Sequence, residues 1–274
     1  MKIISILLIA LILSSCQTSR LPREKISQYS YYKDYSYEKD TLKISLSNPL
    51  HCPLRVFIDV SDTLPKAISN ALNPLTLAPK SDTLIMIGDI HKKPAEVSFR
   101  SLLGDPTKKI TLKPLQLPFV RNKEYRVIQA YKGSFTHNTS YSRYAIDFSL
   151  PLNDTISAAT NGYVVGVIDG YKEGGKGAKW RPFANFITLY DPETGVYTQY
   201  VHLNYKGSLV SVGQEIRAGD PIGKSGLTGQ TTIEHLHFNT LIPENSPGGM
   251  KSIPVDFEEG YKGKLLKRND IVKK

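Results

Sequence analysis

Short runs in which apolar and polar residues alternate, separated by turn residues, dominate this 274-residue chain. Leu42, Ile44 and Leu46 alternate with polar residues, and residues 54–60 continue the same period. A period of two is typical of a β-strand with one buried face, because successive side chains in a strand point to opposite faces. Asparagine, glycine and proline separate the runs, so we predict a small antiparallel β-sandwich over residues 35–118.

The second half of the chain has the same β pattern with more glycine turns. Residues 155–170 predict a strand, a tight Asn-Gly turn and a second strand. Residues 186–190 and 196–203 flank an Asp-Pro-Glu-Thr-Gly segment and predict another hairpin. The expected fold class is therefore all-β. A chain of this length supports two domains, and we place the second over residues 119–260.

The first sixteen residues indicate export. One lysine, an apolar run over residues 3–13 and small residues before Cys16 are typical of a signal peptide, here residues 1–15. The run is too short for a transmembrane helix, which needs about 20 apolar residues. The Leu-Ser-Ser-Cys ending resembles a bacterial lipobox, in which the cysteine is lipidated and becomes the mature N-terminus. The alternative is an ordinary signal peptide cut nearby, with Cys16 incidental.

A lipidated Cys16 would make the chain a membrane-anchored lipoprotein of the cell envelope, on the outer-membrane or periplasmic side. Residues 16–34 lack a clean period and are expected to form a tether. Cys52 would then have no partner for an intrachain disulfide, and we interpret it as a small packed residue.

The net charge of +10 suits an anionic envelope surface. Nucleic acid is a poor partner for an exported chain without a recognition motif. The basic C-terminus, residues 261–274, is interpreted as a solvated tail, with contact to an anionic surface as the alternative.

Histidines near one aspartate suggest a metal centre. His235 and His237 lie two positions apart, so in a strand they share one face. His202 supplies a further imidazole, and Asp147 supplies a carboxylate with His137 ten positions before it. Two histidines and one aspartate as ligands leave one zinc position open for water, as in catalytic sites. These residues predict a zinc hydrolase.

Residues 135–238 resemble the lysostaphin-type (LytM-type) zinc endopeptidases, which cut peptide bonds in bacterial peptidoglycan. The matching stretches are YAIDF at 144–148, AATNGYV at 158–164, YVHL at 200–203, VGQEIRAGDPIG at 212–223, GLTG at 226–229 and HLHF at 235–238. The resemblance implies a twisted antiparallel sheet with a groove floored by one zinc ion. It also implies that peptidoglycan cross-link peptides are the substrate.

The resemblance assigns roles to individual positions. It implies that His137, Asp147 and His237 are the zinc ligands. It implies that His202 and His235 are the catalytic pair that handles the water and the tetrahedral intermediate.

One position departs from the family pattern. The family places its first histidine four residues before the aspartate, but Arg143 stands there, so His137 fills that role only with a six-residue insertion. The alternative is a degenerate domain that binds and activates a separate cell-wall amidase. A third interpretation is a lipoyl or biotinyl carrier domain, which the paired turns of residues 213–223 resemble, but it is disfavoured because no lysine stands at the tip of the hairpin it would need.

Three further residues border the expected groove. Tyr200 either lines the groove as a substrate-binding residue or packs in the interior. Asn185 is implied by the resemblance as a substrate contact. Trp180, in a glycine-rich loop, is interpreted as pinned against the sheet, with stacking on substrate as the alternative.

Overall fold

The computed structural model describes residues 21–61 and 64–274, and within them it confirms the predicted all-β class. Cys16 and the predicted signal peptide, residues 1–15, lie outside the described residues. Within the described part of the chain, no helix is long and apolar enough to span a bilayer.

The N-terminal part forms two three-stranded antiparallel sheets. Its elements are β1 (Tyr32–Glu38), β2 (Thr41–Asn48), β3 (Leu54–Val60), α1 (Lys66–Ala71), β4 (Leu75–Leu77), β5 (Ser81–Ile87) and β6 (Val97–Leu103). The sheets have the orders β1-β2-β5 and β4-β3-β6. Leu42, Ile44 and Leu46 are buried because the alternation of β2 turns them all inward, where they share one apolar core with Leu54 and Val56 of β3.

This core is continuous with the C-terminal part. Tyr190, Tyr197 and Leu241 belong to the same apolar cluster as the sandwich residues. The buried Arg55 guanidinium donates hydrogen bonds to the carbonyls of Glu244 and Gly249 at 3.0 and 2.7 Å. The two parts are therefore packed firmly against each other.

The C-terminal part contains fourteen strands in the described residues. They are β7 (Glu124–Gln129), β8 (Ile146–Phe148), β9 (Thr155–Ser157), β10 (Gly162–Ile168), β11 (Gly174–Gly175), β12 (Phe186–Tyr190), β13 (Tyr197–Val201), β14 (Leu203–Ser208), β15 (Glu215–Ile216), β16 (Pro221–Ser225), β17 (Gly229–Gln230), β18 (Leu236–Pro243), β19 (Met250–Ser252) and β20 (Ile271–Lys273). Two 3₁₀ helices are Ala178–Phe183 and Gly263–Leu265.

One large sheet dominates this part, in the order β15-β10-β12-β13-β18-β8-β7-β20, with β19 paired to β18. A smaller sheet, β14-β16-β9, and a short parallel pair, β11-β17, complete it. Tyr200, Leu236 and Phe238 point from one face of the large sheet into the main apolar core. The opposite face of these strands is left for a groove.

The predicted hairpins had different outcomes. Residues 186–190 and 196–203 form the expected antiparallel pair, β12 with β13. Residues 155–170 form two strands, but β9 pairs with β16 whereas β10 pairs with β12 and β15, so the expected hairpin is wrong.

Both predicted flexible ends are wrong where the structure describes them. The basic tail ends in β20, which pairs with β7 and buries Val272 completely. Residues 21–34 do not form a free tether. The Gln28 carbonyl accepts from the Val167 amide at 2.8 Å, and the Ile26 amide donates to the Tyr171 hydroxyl at 2.8 Å.

Candidate metal centre

A groove of about 750 Å³ crosses the open face of the large sheet. Four of the five residues predicted for the centre of the site line this groove: Asp147, His202, His235 and His237. His137 does not line the groove but lies fully buried next to Asp147, with its Nε2 3.1 Å from Asp147 Oδ1.

Strand register brings the candidate ligands together. His237 of β18 is directly opposite Asp147 of β8, and Asp147 is opposite Gln129 of β7. Directly opposed side chains in an antiparallel sheet lie about 5 Å apart on the same face. Because Leu236 and Phe238 point into the core, His237 between them must point into the groove. Alternation and register together therefore place an imidazole beside a carboxylate.

His137 reaches the site from the connection between β7 and β8. The backbone turns there so that the His137 amide donates to the Gly133 carbonyl at 3.1 Å. Its Nδ1 lies 3.0 Å from the Ala130 carbonyl, so Nδ1 donates to that carbonyl and Nε2 points toward the site. The insertion between the histidine and the aspartate is thus accommodated by a folded loop.

Three potential ligand atoms meet at one point. His137 Nε2 lies 3.1 Å and His237 Nδ1 lies 2.9 Å from the same Asp147 oxygen, Oδ1, and the two imidazole nitrogens are 3.2 Å apart. Tetrahedral zinc with bonds of about 2.0–2.2 Å separates its ligand atoms by roughly 3.3 Å. The residues present therefore fit a zinc ion held by two nitrogens and one oxygen.

Electrostatics in the cluster favour a charged aspartate. Burial raises the pKa of Asp147, but the nearby His235 and the hydrogen bonds from His137 and His237 outweigh it and hold the pKa well below its ordinary value. Burial lowers the pKa of His137, yet the bond to Asp147 prevails and raises it overall. Burial lowers the pKa of His237 despite its contact with Asp147. Asp147 is thus an anion at neutral pH, as a metal ligand must be.

His202 and His235 face the same groove outside the three-atom cluster, and His235 Nε2 lies 3.9 Å from the other Asp147 oxygen, Oδ2. His202 Nδ1 lies 2.6 Å from the Thr228 carbonyl, and His235 Nδ1 lies 2.9 Å from the Ile233 carbonyl. Each carbonyl fixes the N–H on Nδ1, so each Nε2 is left for the groove. The rings are 4.5 Å apart between centroids.

His202 is held in an unusual backbone conformation. Its φ is +68°, in the left-handed region that non-glycine residues seldom occupy. Burial, and then the charges of His235 and His237, hold the pKa of His202 well below its ordinary value. His202 is therefore neutral at pH 7 and is available as a proton acceptor. Such strained residues cluster at functional sites.

Gln129, which the sequence analysis did not single out, positions Asp147, and Gln129 is itself held by Thr136. Gln129 Nε2 donates to Asp147 Oδ2 at 3.1 Å and to Thr136 Oγ1 at 2.6 Å. The carboxylate thus keeps Oδ1 toward the imidazoles while Gln129 occupies Oδ2. The only signal in the sequence was the proximity of Gln129 and Thr136 to His137, which does not reveal the contact.

Tyr200 and Asn185 are not where a substrate contact must be. Tyr200 is fully buried, accepts a hydrogen bond from the Ala159 amide at 2.8 Å, and has its pKa raised to about 12 by burial. Asn185 is also fully buried, and its side chain bonds the Tyr171 backbone at 2.8 and 2.9 Å. Both predicted substrate contacts are therefore corrected to internal supports. Trp180 is buried against Phe183, which confirms its interpretation as a pinned residue.

The chain was also compared with known proteins. Residues 141–247 match peptidase family M23. The chain carries a peptidase M23 domain. The matched segment includes Asp147, His202, His235 and His237, whereas His137 precedes it.

Similar curated proteins include lysostaphin and a peptidoglycan endopeptidase. The chain is 34% identical to lysostaphin of Staphylococcus simulans over 100 residues, which are 36% of this chain and 18% of lysostaphin. It is 29% identical to the peptidoglycan DD-endopeptidase ShyA of Vibrio cholerae over 107 residues, which are 39% of this chain and 22% of ShyA. The chain thus spans about a fifth of the length of these two curated relatives.

Among solved structures, the lysostaphin catalytic domain from Staphylococcus simulans is 26% identical to this chain. That alignment covers 47% of this chain and 87% of the catalytic domain, with a TM-score of 0.34. The domain is identified by the sequence matches and not by this structural superposition.

Proposed function

We propose that the protein is a zinc-dependent endopeptidase that hydrolyses peptide cross-links of bacterial peptidoglycan. The observation that carries this proposal is the convergence of His137 Nε2, His237 Nδ1 and Asp147 Oδ1 within 3.2 Å of one another. The peptidase M23 domain and its similarity to lysostaphin and ShyA support the same activity. The alternative, a non-catalytic activator, requires that His137 does not reach the other two candidate ligands. His137 is buried and its Nε2 lies 3.1 Å from Asp147 Oδ1 and 3.2 Å from His237 Nδ1, which argues against that alternative.

The three residues His137, Asp147 and His237 would hold the metal. Zinc bound there supplies a Lewis acid that polarises the scissile carbonyl and makes a water molecule more acidic. Every other part of the reaction falls to side chains of the groove.

His202 is the candidate general base. Its Nε2 faces the groove, and because its pKa lies well below the ordinary value, the ring is neutral and accepts the proton that the attacking water loses. The oxygen of that water adds to the carbonyl carbon, and the carbon–nitrogen bond then breaks as the proton held by His202 passes to the leaving nitrogen. His235 Nε2 faces the same space and is placed to hydrogen-bond the carbonyl oxygen or the departing amine, which leaves with one proton.

The proposed place of action is the cell envelope. The signal peptide and the lipobox-like cysteine, Cys16, motivate a lipid-anchored protein, with one acylated residue holding the domain near the peptidoglycan layer. Labelling the expressed protein with a radioactive fatty acid would test this part, and a Cys16→Ser variant should lose the label.

The activity is tested on purified sacculi with the full mature protein. We expect chelation to abolish release of soluble fragments and added zinc to restore it, with mass spectrometry revealing one new amine and one new carboxylate per cleaved cross-link. If the zinc-loaded protein leaves sacculi and model cross-linked peptides intact yet stimulates a purified amidase, the activator function replaces the peptidase function.

A further inference from the structure

The charges that line the groove are almost all positive. Arg126, Arg181 and Arg268 line it, and among its described lining residues Asp147 is the one carboxylate. Asp147 is already engaged by two imidazoles and the Gln129 amide. The groove therefore presents three guanidinium groups without a free acidic neighbour.

None of these arginines forms an ion pair within the described residues. All three are exposed at the groove surface, and the Arg181 Nε donates to the neutral Gln230 side chain at 2.6 Å. A guanidinium in this state keeps most of its donors for a ligand. Its planar fork matches a carboxylate better than any other common group on a peptide.

The arginines bracket the candidate metal centre. Arg126 lies on β7 and Arg268 lies in the turn before β20, and these two strands pair, with Arg126 opposite Ile271. Arg181 lies on the far side of the groove, in the 3₁₀ helix that leads into β12. Strands β8 and β18, which carry Asp147 and His237, lie between them.

The separation of the two sides matches a short peptide. From β12 to β7 the sheet crosses β13, β18 and β8, which gives four strand spacings, or about 19 Å at about 4.8 Å each. An extended peptide rises about 3.3 Å per residue, so about six residues cover this distance. An extended peptide of this length lying across the groove would reach both sides, with the candidate metal centre between them.

We propose that the groove selects an acidic cross-link, with free carboxylates on both sides of the scissile bond bound by Arg126 and Arg268 at one side and by Arg181 at the other. This specificity rests on the proposed endopeptidase function. It disfavours a bridge made only of glycine, because such a bridge carries no charge for the arginines to bind. The chain is similar both to a glycyl-glycine endopeptidase and to a peptidoglycan DD-endopeptidase, and the three arginines favour the acidic cross-link.

The test compares two synthetic cross-linked peptides that are identical except that the side-chain and terminal carboxylates are free in one and amidated in the other. With the zinc-loaded full-length protein, we expect kcat/KM to be about tenfold higher for the free carboxylates, since each exposed charge pair contributes up to about fivefold. This preference should shrink as salt is raised from 0.05 to 0.5 M. A pentaglycine-bridged peptide should be the poorest substrate.

Matched variants locate the preference. In the triple variant Arg126→Gln, Arg181→Gln and Arg268→Gln, the ratio of kcat/KM between the two peptides should fall from about ten to below two. Arg217→Gln removes an exposed arginine outside the groove lining and should leave the ratio unchanged. Equal kcat/KM for the two peptides, or a faster reaction with pentaglycine, overturns the proposal while the endopeptidase function stands.

A binding measurement separates the two proposals. In His202→Ala, titration calorimetry should detect about tenfold tighter binding of the free-carboxylate peptide than of the amidated one. If this preference appears but the wild-type protein cleaves nothing, the groove specificity holds and the endopeptidase function fails. Equal binding of both peptides overturns the specificity.

Discussion

Replacing Gln129 with leucine tests how the fold holds the metal centre. Leucine keeps most of the side-chain volume but removes the amide donor that reaches Asp147 Oδ2 at 3.1 Å. A hydrogen bond to a buried charged group contributes about 1.5–3 kcal/mol. Since Asp147 is 4% exposed, water replaces that donor poorly. The free carboxylate can then rotate away from His137 and His237, so we expect zinc affinity to fall about 10- to 100-fold.

Zinc affinity is measured by competition with a chromogenic chelator at fixed pH and salt. Gln214→Leu is the control, because Gln214 is exposed and its side chain accepts a hydrogen bond from the Ser211 amide in its own turn, far from the candidate ligands. Circular dichroism of both variants must match the wild-type spectrum before affinities are compared. If Gln129→Leu binds zinc within twofold of wild type, Gln129 does not orient the aspartate and the argument fails.

Three other predictions concern the catalytic pair, pH and the C-terminal strand. His202→Ala should retain one zinc per chain by metal analysis but lose at least 100-fold in kcat, whereas His237→Ala should lose both zinc and turnover. In the metal-free folded protein, the pKa of His202 lies well below the ordinary 6.5. The unfolded chain therefore binds a proton at His202 at a higher pH than the folded protein does. The stability that neutral His202 contributes is complete above pH 6.5 and is lost as the pH falls toward the pKa of His202 in the folded protein. Urea titrations from pH 7.5 to 5 should therefore show a smaller loss of unfolding free energy in His202→Gln than in wild type. Val272→Asp should destabilise the fold by about 3 kcal/mol in urea, because it buries an unpaired carboxylate under β7.

Each of these has an outcome that contradicts it. Zinc loss in His202→Ala would make that residue a ligand, not a base. Identical pH slopes for His202→Gln and wild type would mean that the imidazole titrates normally in the fold. Ile271→Asp, at an exposed position of the same strand, is the matched control. If Val272→Asp changes the free energy of unfolding by less than about 0.5 kcal/mol, the C-terminus is a solvated tail, as its composition suggested.

The error at Tyr200 has a definite geometric cause. Tyr200 and His202 are two positions apart, so continuous alternation would put both on the groove face. The strand β13 ends at Val201, and the left-handed backbone at His202 breaks the alternation. Val201 faces the groove opposite His237, and Tyr200 faces the core. A pattern of residue types does not reveal such a break.

The ends of the chain were misjudged for a different reason. Residues 261–274 are mostly basic and polar, which is typical of a solvated tail. Strand β20 nevertheless pairs with β7 through its backbone and buries the side chain of Val272. Backbone pairing depends on a vacant strand edge elsewhere in the molecule. That edge is created by the fold of residues 124–148 and has no signature in the C-terminal sequence itself.

The sequence by itself determined the all-β class, the M23-type pattern of histidines and aspartate, and the shared face of His235 and His237. These follow from local periodicity and from residue types whose chemistry is intrinsic. Tertiary structure decided that His137 joins Asp147 and His237 in the candidate metal site, that Gln129 supports Asp147, and that arginines flank the groove. Those contacts join residues from separate strands and loops, and only the register of the folded sheet sets the distances between them.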